Sequence, residues 1–334
     1  CGGIGRCRAG RFARCGCRSF AWHDIRGLAQ HSPAAQGIAL RLGVIINPSS
    51  ARGKGAARGE LVLSTLVERG QAYLNLSGNT LEEANANARH AINDGLIDGL
   101  VVVGGDGIAH LGVNIACDTG ISLGLIAAGT GNDLARSIGM PEGDVIAGTH
   151  AVLAKLGSPR KVDAVKAHSS TGEFWFFGTA SAGFDALCNQ RANEMTWPKG
   201  PRRYDIAMVL ELAKFKPIHY EATIDGVHRS FDAMLCAVAN GPAFGGGMLI
   251  APEAKIDDGY LDLFVVHAMS RLELLKVFPK VYTGGHVSHP AVEFVRAKSV
   301  KLSSGNMPLY SDGEARGHSP LTATVVPGAL SVFA

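Results

Sequence analysis

Short apolar segments alternate with helical periodicity between residue 41 and about residue 160. Helical patterns occur at Glu60–Arg69 and at Thr80–Asn93, where Thr80 and Glu83 have the spacing of a capping box. Strands that alternate with helices predict an α/β domain with a parallel sheet over residues 41–160. The apolar segments of strand length are Leu42–Ile46, Ala72–Leu76, Leu100–Val103 and Leu123–Ala127.

After about residue 160 the chain consists mainly of β-type segments separated by turns. Asp-Gly pairs, which are typical of tight turns, occur at 225–226, 258–259 and 312–313. Helical patches interrupt the strands at Tyr204–Phe215 and Arg271–Tyr282. The pattern predicts an antiparallel β domain over residues 161–334. The predicted strands are Lys161–Lys166, Phe174–Thr179, His219–Ile224, Ala233–Ala239, Tyr260–Val266, Ser299–Ser303 and Thr322–Val326.

Residues 1–40 differ from the rest in composition and carry a net charge of +5, whereas the remaining residues sum to −2. We expect this segment to be a disordered leader, a fragment or a wrongly assigned start. A main body without net positive charge argues against a nucleic-acid partner. No apolar run of about 18 residues occurs, so a membrane role would be peripheral. Cys117, Cys188 and Cys236 lie in apolar segments and indicate reduced thiols in a reducing interior.

A glycine-rich turn with one carboxylate, Gly104-Gly105-Asp106-Gly107, follows the third predicted strand. Glycines let backbone N–H groups approach an anion, and the helix predicted over Ile108–Ala116 adds partial positive charge. A carboxylate in such a loop needs a bridging cation, so Asp106 indicates a Mg²⁺–phosphate site. The alternative is a tight strand-to-helix turn in which Asp106 only caps the helix.

A second loop of this kind, Gly129-Thr130-Gly131-Asn132-Asp133, follows the fourth predicted strand. Asn132 or Asp133 could equally be an ordinary N-cap. In a parallel sheet both loops lie at the carboxyl edge, where ligands bind. The motifs of P-loop NTPases, dinucleotide-binding folds, zinc hydrolases and serine hydrolases are absent from the sequence.

These loops belong to a longer series of motifs in which the chain resembles the diacylglycerol kinase catalytic-domain family. This family of lipid kinases includes the sphingosine and ceramide kinases, and its bacterial soluble members are the most similar. The resemblance extends from about Leu42 to the C-terminus. Its motifs are Asn47-Pro48-Ser49-Ser50, the two glycine loops, Ala182-Gly183-Phe184-Asp185-Ala186, Gly245-Gly246-Gly247-Met248 with Ala251-Pro252, Asp257-Asp258-Gly259 and Asp312-Gly313-Glu314.

The resemblance implies an N-terminal nucleotide-binding domain similar to phosphofructokinase and NAD kinase, a C-terminal antiparallel β-sandwich domain, and ATP in the cleft between them. It implies that Asp106 and Asp133 lie near the phosphates and the catalytic Mg²⁺. It also implies a second, structural Mg²⁺ site at Lys255, Asp258 and Tyr260, formed mostly by backbone carbonyls. The implied nucleotide-binding residues are Asn47, Ser49, Ser77, Gly104, Gly105, Asp106, Gly107, Ile108, His110, Gly129, Thr130, Asn132 and Asp133.

By the same resemblance, Asp312 and Glu314 hold the place of the catalytic base. The attacking hydroxyl needs a carboxylate to accept its proton, and the rest of phosphoryl transfer is positioning and charge neutralisation. From the residues alone, Asp312-Gly313 is more typical of a hairpin turn. The implied reaction transfers the γ-phosphoryl group of ATP to the hydroxyl of diacylglycerol and gives phosphatidic acid.

Three positions depart from the family pattern. Ile108 stands where a threonine is usual, Leu111 replaces a common glutamate, and Ala51 replaces a glycine. Nucleotide contacts at Ile108 are therefore limited to its backbone or lost. Two alternatives stay open: a kinase for another acceptor (a sphingoid base, a ceramide-like lipid, monoacylglycerol or NAD), or a lipid-responsive binding protein without turnover.

The lipid is expected to enter the second domain near the glycine-rich apolar loop Phe244–Ile250. Residues from Lys199 to Lys216 carry a net charge of +3, and Trp197 precedes them. A basic amphipathic segment suits an anionic membrane surface, although a solvated helix face would have the same pattern. We therefore expect a cytoplasmic protein that associates peripherally with the inner face of the membrane, with a homodimer left open.

Overall fold

A computed structural model describes residues 40–47, 55–197, 206–211 and 215–334 of the chain. Residues 1–39 of the expected leader lie outside the described residues, as do Ser49 and most of the basic segment that begins at Lys199. In the described part of the chain, no helix combines the length and apolar character needed to cross a membrane.

The N-terminal half is a parallel sheet with helices, as its alternating pattern predicts. Its strands are β1 (Leu42–Ile46), β2 (Tyr73–Asn75), β3 (Gly99–Gly104) and β4 (Ser122–Ala127). Its helices are α1 (Gly55–Glu68), α2 (Leu81–Asn93), α3 (Asp106–Thr119), α4 (Asp133–Ser137) and α5 (Val145–Ala154). The strands lie in the order β2-β1-β3-β4, and every pairing is parallel. This half of the fold prediction is confirmed.

Local sequence explains how these elements begin and end. The Thr80 side chain accepts a hydrogen bond from the Glu83 backbone N–H at 3.2 Å, so the predicted cap of α2 is present. Strand β3 is buried along its whole length, as expected for a central parallel strand. Helix α3 ends at Gly120, whose φ of 76° is the left-handed conformation that glycine adopts most easily.

The C-terminal half is antiparallel, and this part of the fold prediction is also confirmed. Its strands are β5 (Arg160–Ser169), β6 (Gly172–Phe176), β7 (Thr179–Gly183), β8 (Ile218–Ile224), β9 (Val227–Ala239), β10 (Leu261–His267), β11 (Val292–Ala297), β12 (Ser299–Ser303), β13 (Pro308–Ser311), β14 (Glu314–His318) and β15 (Leu321–Val332). Helix α6 spans Phe184–Glu194, helix α7 spans Arg271–Val277, and a 3₁₀ helix follows at Phe278–Thr283. Strand β9 pairs with β7, β8 and β10, and the faces of these strands enclose a second apolar core.

Two predicted elements differ from the structure for identifiable reasons. The strand expected over Phe174–Thr179 is divided between β6 and β7, because the N–H groups of Phe177 and Gly178 bond to the Asp312 carboxylate instead of a neighbouring strand. The helix expected over Arg271–Tyr282 is α-helical only to Val277. Pro279, which lacks an N–H group, stands at the start of the 3₁₀ helix that continues it.

Strand β15 connects the two halves. Most of it pairs with β5 and β12, but its last residue, Val332, pairs in parallel with Leu123 of β4. Phe333 then donates its N–H to the Leu123 carbonyl at 2.9 Å and packs in the core of the parallel half. The C-terminus thus contributes to both halves, and the division into residues 41–160 and 161–334 stays a prediction.

Candidate active site

The two glycine loops touch through their backbones at the carboxyl edge of β3 and β4. The Ala128 N–H donates to the Gly104 carbonyl at 2.8 Å. A Cβ atom at Gly129 would overlap the Cα of Gly105 and lie 2.9 Å from its nitrogen. Only glycine permits this approach. Beside it lies a pocket of about 210 Å³, including space open to solvent, and residues of both loops form part of its lining.

Asn132 shapes the second loop without acting as a side-chain cap of α4. Its φ of 57° is left-handed, and its Oδ1 accepts the Gly129 N–H at 2.9 Å. The side chain therefore closes the loop on itself. The N-cap alternative holds for the position of Asn132 but not for its side-chain hydrogen bond.

Asp106 is the first residue of α3, and its carboxylate faces the start of α4. The Leu134 N–H lies 3.5 Å from Asp106 Oδ1. Burial, and to a lesser extent the charge of Asp133, together raise the pKa of Asp106 to about 6. A cation bound nearby would stabilise the charged form of the Asp106 carboxylate and lower the affinity of that carboxylate for a proton.

Asp133 joins the second loop to a glycine-rich loop of the C-terminal half. Its Oδ2 accepts the Gly246 N–H at 2.6 Å, and its Oδ1 accepts the Gly247 N–H at 2.8 Å and Arg136 Nη1 at 2.6 Å. Burial raises the pKa of Asp133, whereas the Gly246 N–H and the Arg136 charge oppose that shift. Arg136 also pairs with Glu142 at 2.6 Å. The carboxylate therefore holds two loops together.

Asp312 lies at the turn between β13 and β14 and is buried under the β6–β7 connection. Its φ of 48° is left-handed, which aspartate tolerates better than most residues. Its oxygens accept N–H groups from three consecutive residues at 2.9 to 3.0 Å. These donors are Phe177, Gly178 and Thr179. The array fixes the carboxylate and stabilises its negative charge.

His110 connects Asp312 to helix α3. Its Nδ1 lies 3.3 Å from Asp312 Oδ2, and its Nε2 lies 3.1 Å from Asn114 Nδ2 and also contacts Arg316. Asn114 Oδ1 in turn accepts the Trp175 N–H at 2.9 Å. These polar side chains and the Trp175 backbone, whose carbonyl also accepts Asn114 Nδ2 at 3.0 Å, thus tie α3 to the C-terminal half.

Glu314 reaches the first turn of α3 from the same hairpin turn. Its Oε1 lies 2.8 Å from the position that a Cβ atom would take at Gly107. Glu314 is exposed, whereas Asp312 is buried with both oxygens engaged in hydrogen bonds. Of these two carboxylates, Glu314 is the one that a bound molecule can reach.

The remaining candidate nucleotide residues lie along the same edge, with one outside the described residues. Ser77 Oγ accepts the Ile46 N–H at 2.9 Å, and the Asn47 N–H donates to the Val103 carbonyl at 3.0 Å. Thr130 is exposed in the second loop. Ile108 is only 2% exposed and packs against Gly104, so its side chain belongs to the core. Ser49 is not among the described residues.

Asp106 and Asp133 fit a divalent cation to different degrees. Both supply the hard carboxylate oxygens that Mg²⁺ prefers, and both lie within 4 Å of the Cβ position at Gly131. Asp133 already accepts three hydrogen bonds. Asp106 accepts a longer and weaker hydrogen bond, from the Leu134 N–H at 3.5 Å, and is therefore the better candidate ligand of the two.

At the implied structural Mg²⁺ site, which stays a prediction, the one carboxylate is already paired with other groups of the protein. Asp258 Oδ2 pairs with the Arg296 guanidinium, and Asp258 Oδ1 accepts the Tyr260 N–H at 3.1 Å. The same guanidinium stacks 4.4 Å above the Tyr260 ring. The turn is also fixed by Asp163, whose Oδ2 accepts the Gly259 N–H at 2.7 Å. Among the described residues no group of three or more His, Cys, Asp or Glu side chains is placed to hold a metal.

An apolar cavity of about 550 Å³, partly open to solvent, lies in the C-terminal half. The predicted loop Phe244–Ile250 contributes Phe244, Met248 and Ile250. The sequence pattern did not predict the other lining residues, because they belong to separate strands and helices that come together only in the folded protein. The other apolar lining residues are Phe184, Met234, Leu235, Phe264, Val266, Leu274, Val277, Phe278, Val281 and Val292.

Two buried polar residues, Asp185 and His286, also line this cavity. Asp185 Oδ2 bonds to Ser181 Oγ, while Asp185 Oδ1 and His286 Nδ1 have no hydrogen-bond partner among the described residues. Burial raises the pKa of Asp185 to about 6 and lowers the pKa of His286. These polar atoms are buried behind the cavity wall, so the surface of the cavity itself is almost entirely apolar.

Comparisons with known proteins agree with this architecture. The sequence model of the "Diacylglycerol kinase catalytic domain" matches residues 41–167. The model of the "YegS C-terminal NAD kinase beta sandwich-like domain" matches residues 178–334. A crystal structure of a putative diacylglycerol kinase from Bacillus anthracis superposes with a TM-score of 0.70 at 22% identity, covering 88% of this chain and 96% of that one. This likeness supports the fold.

Curated relatives extend the similarity to nearly the whole chain. A probable lipid kinase YegS-like protein of Chromohalobacter salexigens is 30% identical over 74% of this chain and 79% of its own length. The diacylglycerol kinase of Mycobacterium tuberculosis is 34% identical over 291 residues, which is 86% of this chain and 93% of that protein. With this identity, this coverage and both domain matches, the chain belongs to the diacylglycerol kinase family of lipid kinases.

Proposed function

We propose that the protein transfers the γ-phosphoryl group of ATP to the hydroxyl of diacylglycerol, with Mg²⁺ as cofactor, and gives phosphatidic acid. The observation that carries the proposal is the approach of the Asp312–Glu314 turn to the first turn of α3. It brings a reachable carboxylate beside glycine loops suited to phosphate binding. The names of the relatives support diacylglycerol as the acceptor.

In the proposed reaction, the acceptor oxygen attacks the γ-phosphorus and the bond from that phosphorus to the β–γ bridging oxygen breaks. ADP leaves with the electron pair of that bond, and the hydroxyl proton passes to a carboxylate. Glu314 is suited to accept the proton, because its carboxylate is exposed beside Gly107. Asp312 positions the turn that carries Glu314.

Asp106 would hold Mg²⁺, and the ion when bound would neutralise charge on the phosphates. The backbone N–H groups of the glycine loops would bind and orient the phosphates. Ile108 offers only its backbone, because its side chain is buried in the core.

The apolar cavity is the proposed place of an acyl chain. The surface of the cavity is almost entirely apolar, which suits a hydrocarbon chain. A lipid acceptor implies peripheral association with a membrane, and we propose the cytoplasmic face. The homodimer stays a prediction.

The direct test supplies the purified protein with labelled ATP, Mg²⁺ and diacylglycerol in mixed micelles. We expect labelled phosphatidic acid, with kcat reduced about a hundredfold or more in Glu314→Gln and Asp106→Asn. Glu60→Gln, on the exposed face of α1, is the matched control and should retain full activity. Full activity of both site variants would disprove the proposed mechanism.

A panel of acceptors separates the alternatives. Sphingosine, ceramide, monoacylglycerol and NAD replace diacylglycerol under the same conditions. A higher kcat/KM for one of them would change the acceptor but keep the kinase. Nucleotide or lipid binding by calorimetry without product from any acceptor would indicate a binding protein.

A further inference from the structure

The segment that covers one wall of the apolar cavity has two apolar faces. Helix α7 begins where Ser270 Oγ accepts the Glu273 N–H at 3.2 Å. Leu274 and Val277 point inward and line the cavity. Leu272 and Leu275, in contrast, are 73% and 50% exposed. Burial of the inner face therefore leaves two leucines of the outer face exposed to water.

The 3₁₀ helix continues this arrangement. Val281 is buried and lines the cavity, whereas Tyr282 is 52% exposed. Lys276 and Lys280 are exposed on the same segment. Its one acid, Glu273, lies 3.4 Å from His289. We call Leu272, Leu275, Lys276, Lys280 and Tyr282 the α7 surface.

A neighbouring segment presents exposed apolar side chains as well. Arg271 Nε donates to the Phe215 carbonyl at 2.9 Å, and Met208 of the helical residues 206–211 packs against the same apolar cluster as Leu274 of α7. In that segment Val209 is 60% exposed and Leu210 is 44% exposed. Single exposed leucines are ordinary, but apolar side chains grouped with lysines and an aromatic ring are typical of interfacial helices.

We propose that the α7 surface docks on an anionic lipid bilayer and thereby places the cavity at the membrane. The leucines and Tyr282 would enter the interface, while Lys276 and Lys280 would contact acidic headgroups. The occupant is a bilayer because the same segment forms the wall of an apolar cavity, and its cations match anionic lipid. The inference rests on the proposed lipid acceptor.

The test measures binding to sucrose-loaded vesicles of equal parts phosphatidylglycerol and phosphatidylcholine, without nucleotide. Leu272→Ser/Leu275→Ser should lower the partition coefficient about tenfold or more. Lys276→Gln/Lys280→Gln should lower it about tenfold on these vesicles and hardly at all on phosphatidylcholine alone. Leu61→Ser/Val67→Ser is the matched control, since these α1 residues are 46% and 64% exposed in the other half.

Activity toward a short-chain diacylglycerol dispersed in water separates docking from catalysis. The α7 variants should keep that activity within about twofold, because these side chains do not line the cavity. A protein that binds vesicles through this surface but phosphorylates no lipid would keep the docking site and lose the proposed function. Equal vesicle binding by all variants would overturn the docking site. It would also be overturned if, without vesicles, the unaltered protein were a dimer and the α7 variants were monomers, because the α7 surface would then be a contact between two copies of the chain.

Discussion

Asp312 and His110 meet across the two halves of the protein, with Asp312 Oδ2 3.3 Å from His110 Nδ1 and both side chains buried. The two residues are 202 positions apart in the chain. Their contact brings the turn that carries Glu314 to helix α3, whose first residue is Asp106. The site therefore depends on an interaction between halves as much as on either glycine loop.

Asp312→Asn should destabilise the protein by about 2–3 kcal/mol, because an amide N–H₂ would face backbone N–H donors in a buried site. Asparagine tolerates left-handed φ as well, so the turn itself is kept. Urea unfolding measures the change. Asp225→Asn is the matched control: its φ is 47°, and its exposed carboxylate accepts the Lys298 and Ser299 N–H groups. Equal losses in both variants would contradict a special role for Asp312.

The affinity for Mg²⁺–ATP should depend on pH with a midpoint near the pKa of Asp106, which burial and Asp133 raise to about 6. Below this pH the carboxyl group is protonated and neutral, so affinity falls as pH decreases and rises as pH increases. The stability effect has the opposite sign, since a raised carboxyl pKa stabilises the fold most at low pH. Calorimetric titrations between pH 5 and 8 test this. An unchanged midpoint in Asp106→Asn would assign the transition to another group.

Gly129→Ala should abolish nucleotide binding, because the added methyl group would collide with the Gly105 backbone and separate the two loops. We also expect a loss of stability of about 1–3 kcal/mol. Gly157→Ala is the control, since a Cβ atom there meets no atom within 4 Å. Nucleotide affinity and thermal unfolding are the measurements. Normal affinity in Gly129→Ala would show that close contact of the loops is not required.

Arg296→Met should make the stability of the protein depend on Mg²⁺. Without the guanidinium the Asp258 carboxylate loses its partner, and an ion can take its place at the turn. We expect the unfolding temperature of the variant to fall in EDTA and to recover in Mg²⁺, with nucleotide absent and ionic strength matched. The unaltered protein should show no such recovery.

Arg160→Met provides the comparison, because Arg160 pairs with the adjacent Asp257 at 2.6 Å and both side chains are more than 40% exposed. It should show neither loss nor recovery. If Mg²⁺ stabilises the unaltered protein and Asp258→Asn removes that effect, the ion displaces the arginine and the turn is a metal site after all.

Much of this architecture follows from the pattern along the chain. Apolar runs such as Leu100–Val103, set between helical segments, require a parallel sheet, and its carboxyl edge brings the two glycine loops together. Asp225-Gly226 and Asp312-Gly313 are hairpin turns, as the residues predict. These features depend on the conformational preferences of single residues and on the spacing of apolar positions along the chain. Both can be read from neighbouring residues.

Tertiary structure alone decided what the carboxylates contact. In the sequence, all four carboxylates of the glycine loops and the 312–314 turn are equal candidates for the site. In the structure, the oxygens of Asp133 and Asp312 accept backbone N–H groups of distant loops. The Arg296 guanidinium at the Asp258 turn and the apolar cavity likewise join segments far apart in the chain. The sequence by itself determined which segments form strands, helices and turns, because these depend on the conformational preferences of neighbouring residues. The partners of each charge depend on packing between halves, which no local pattern specifies.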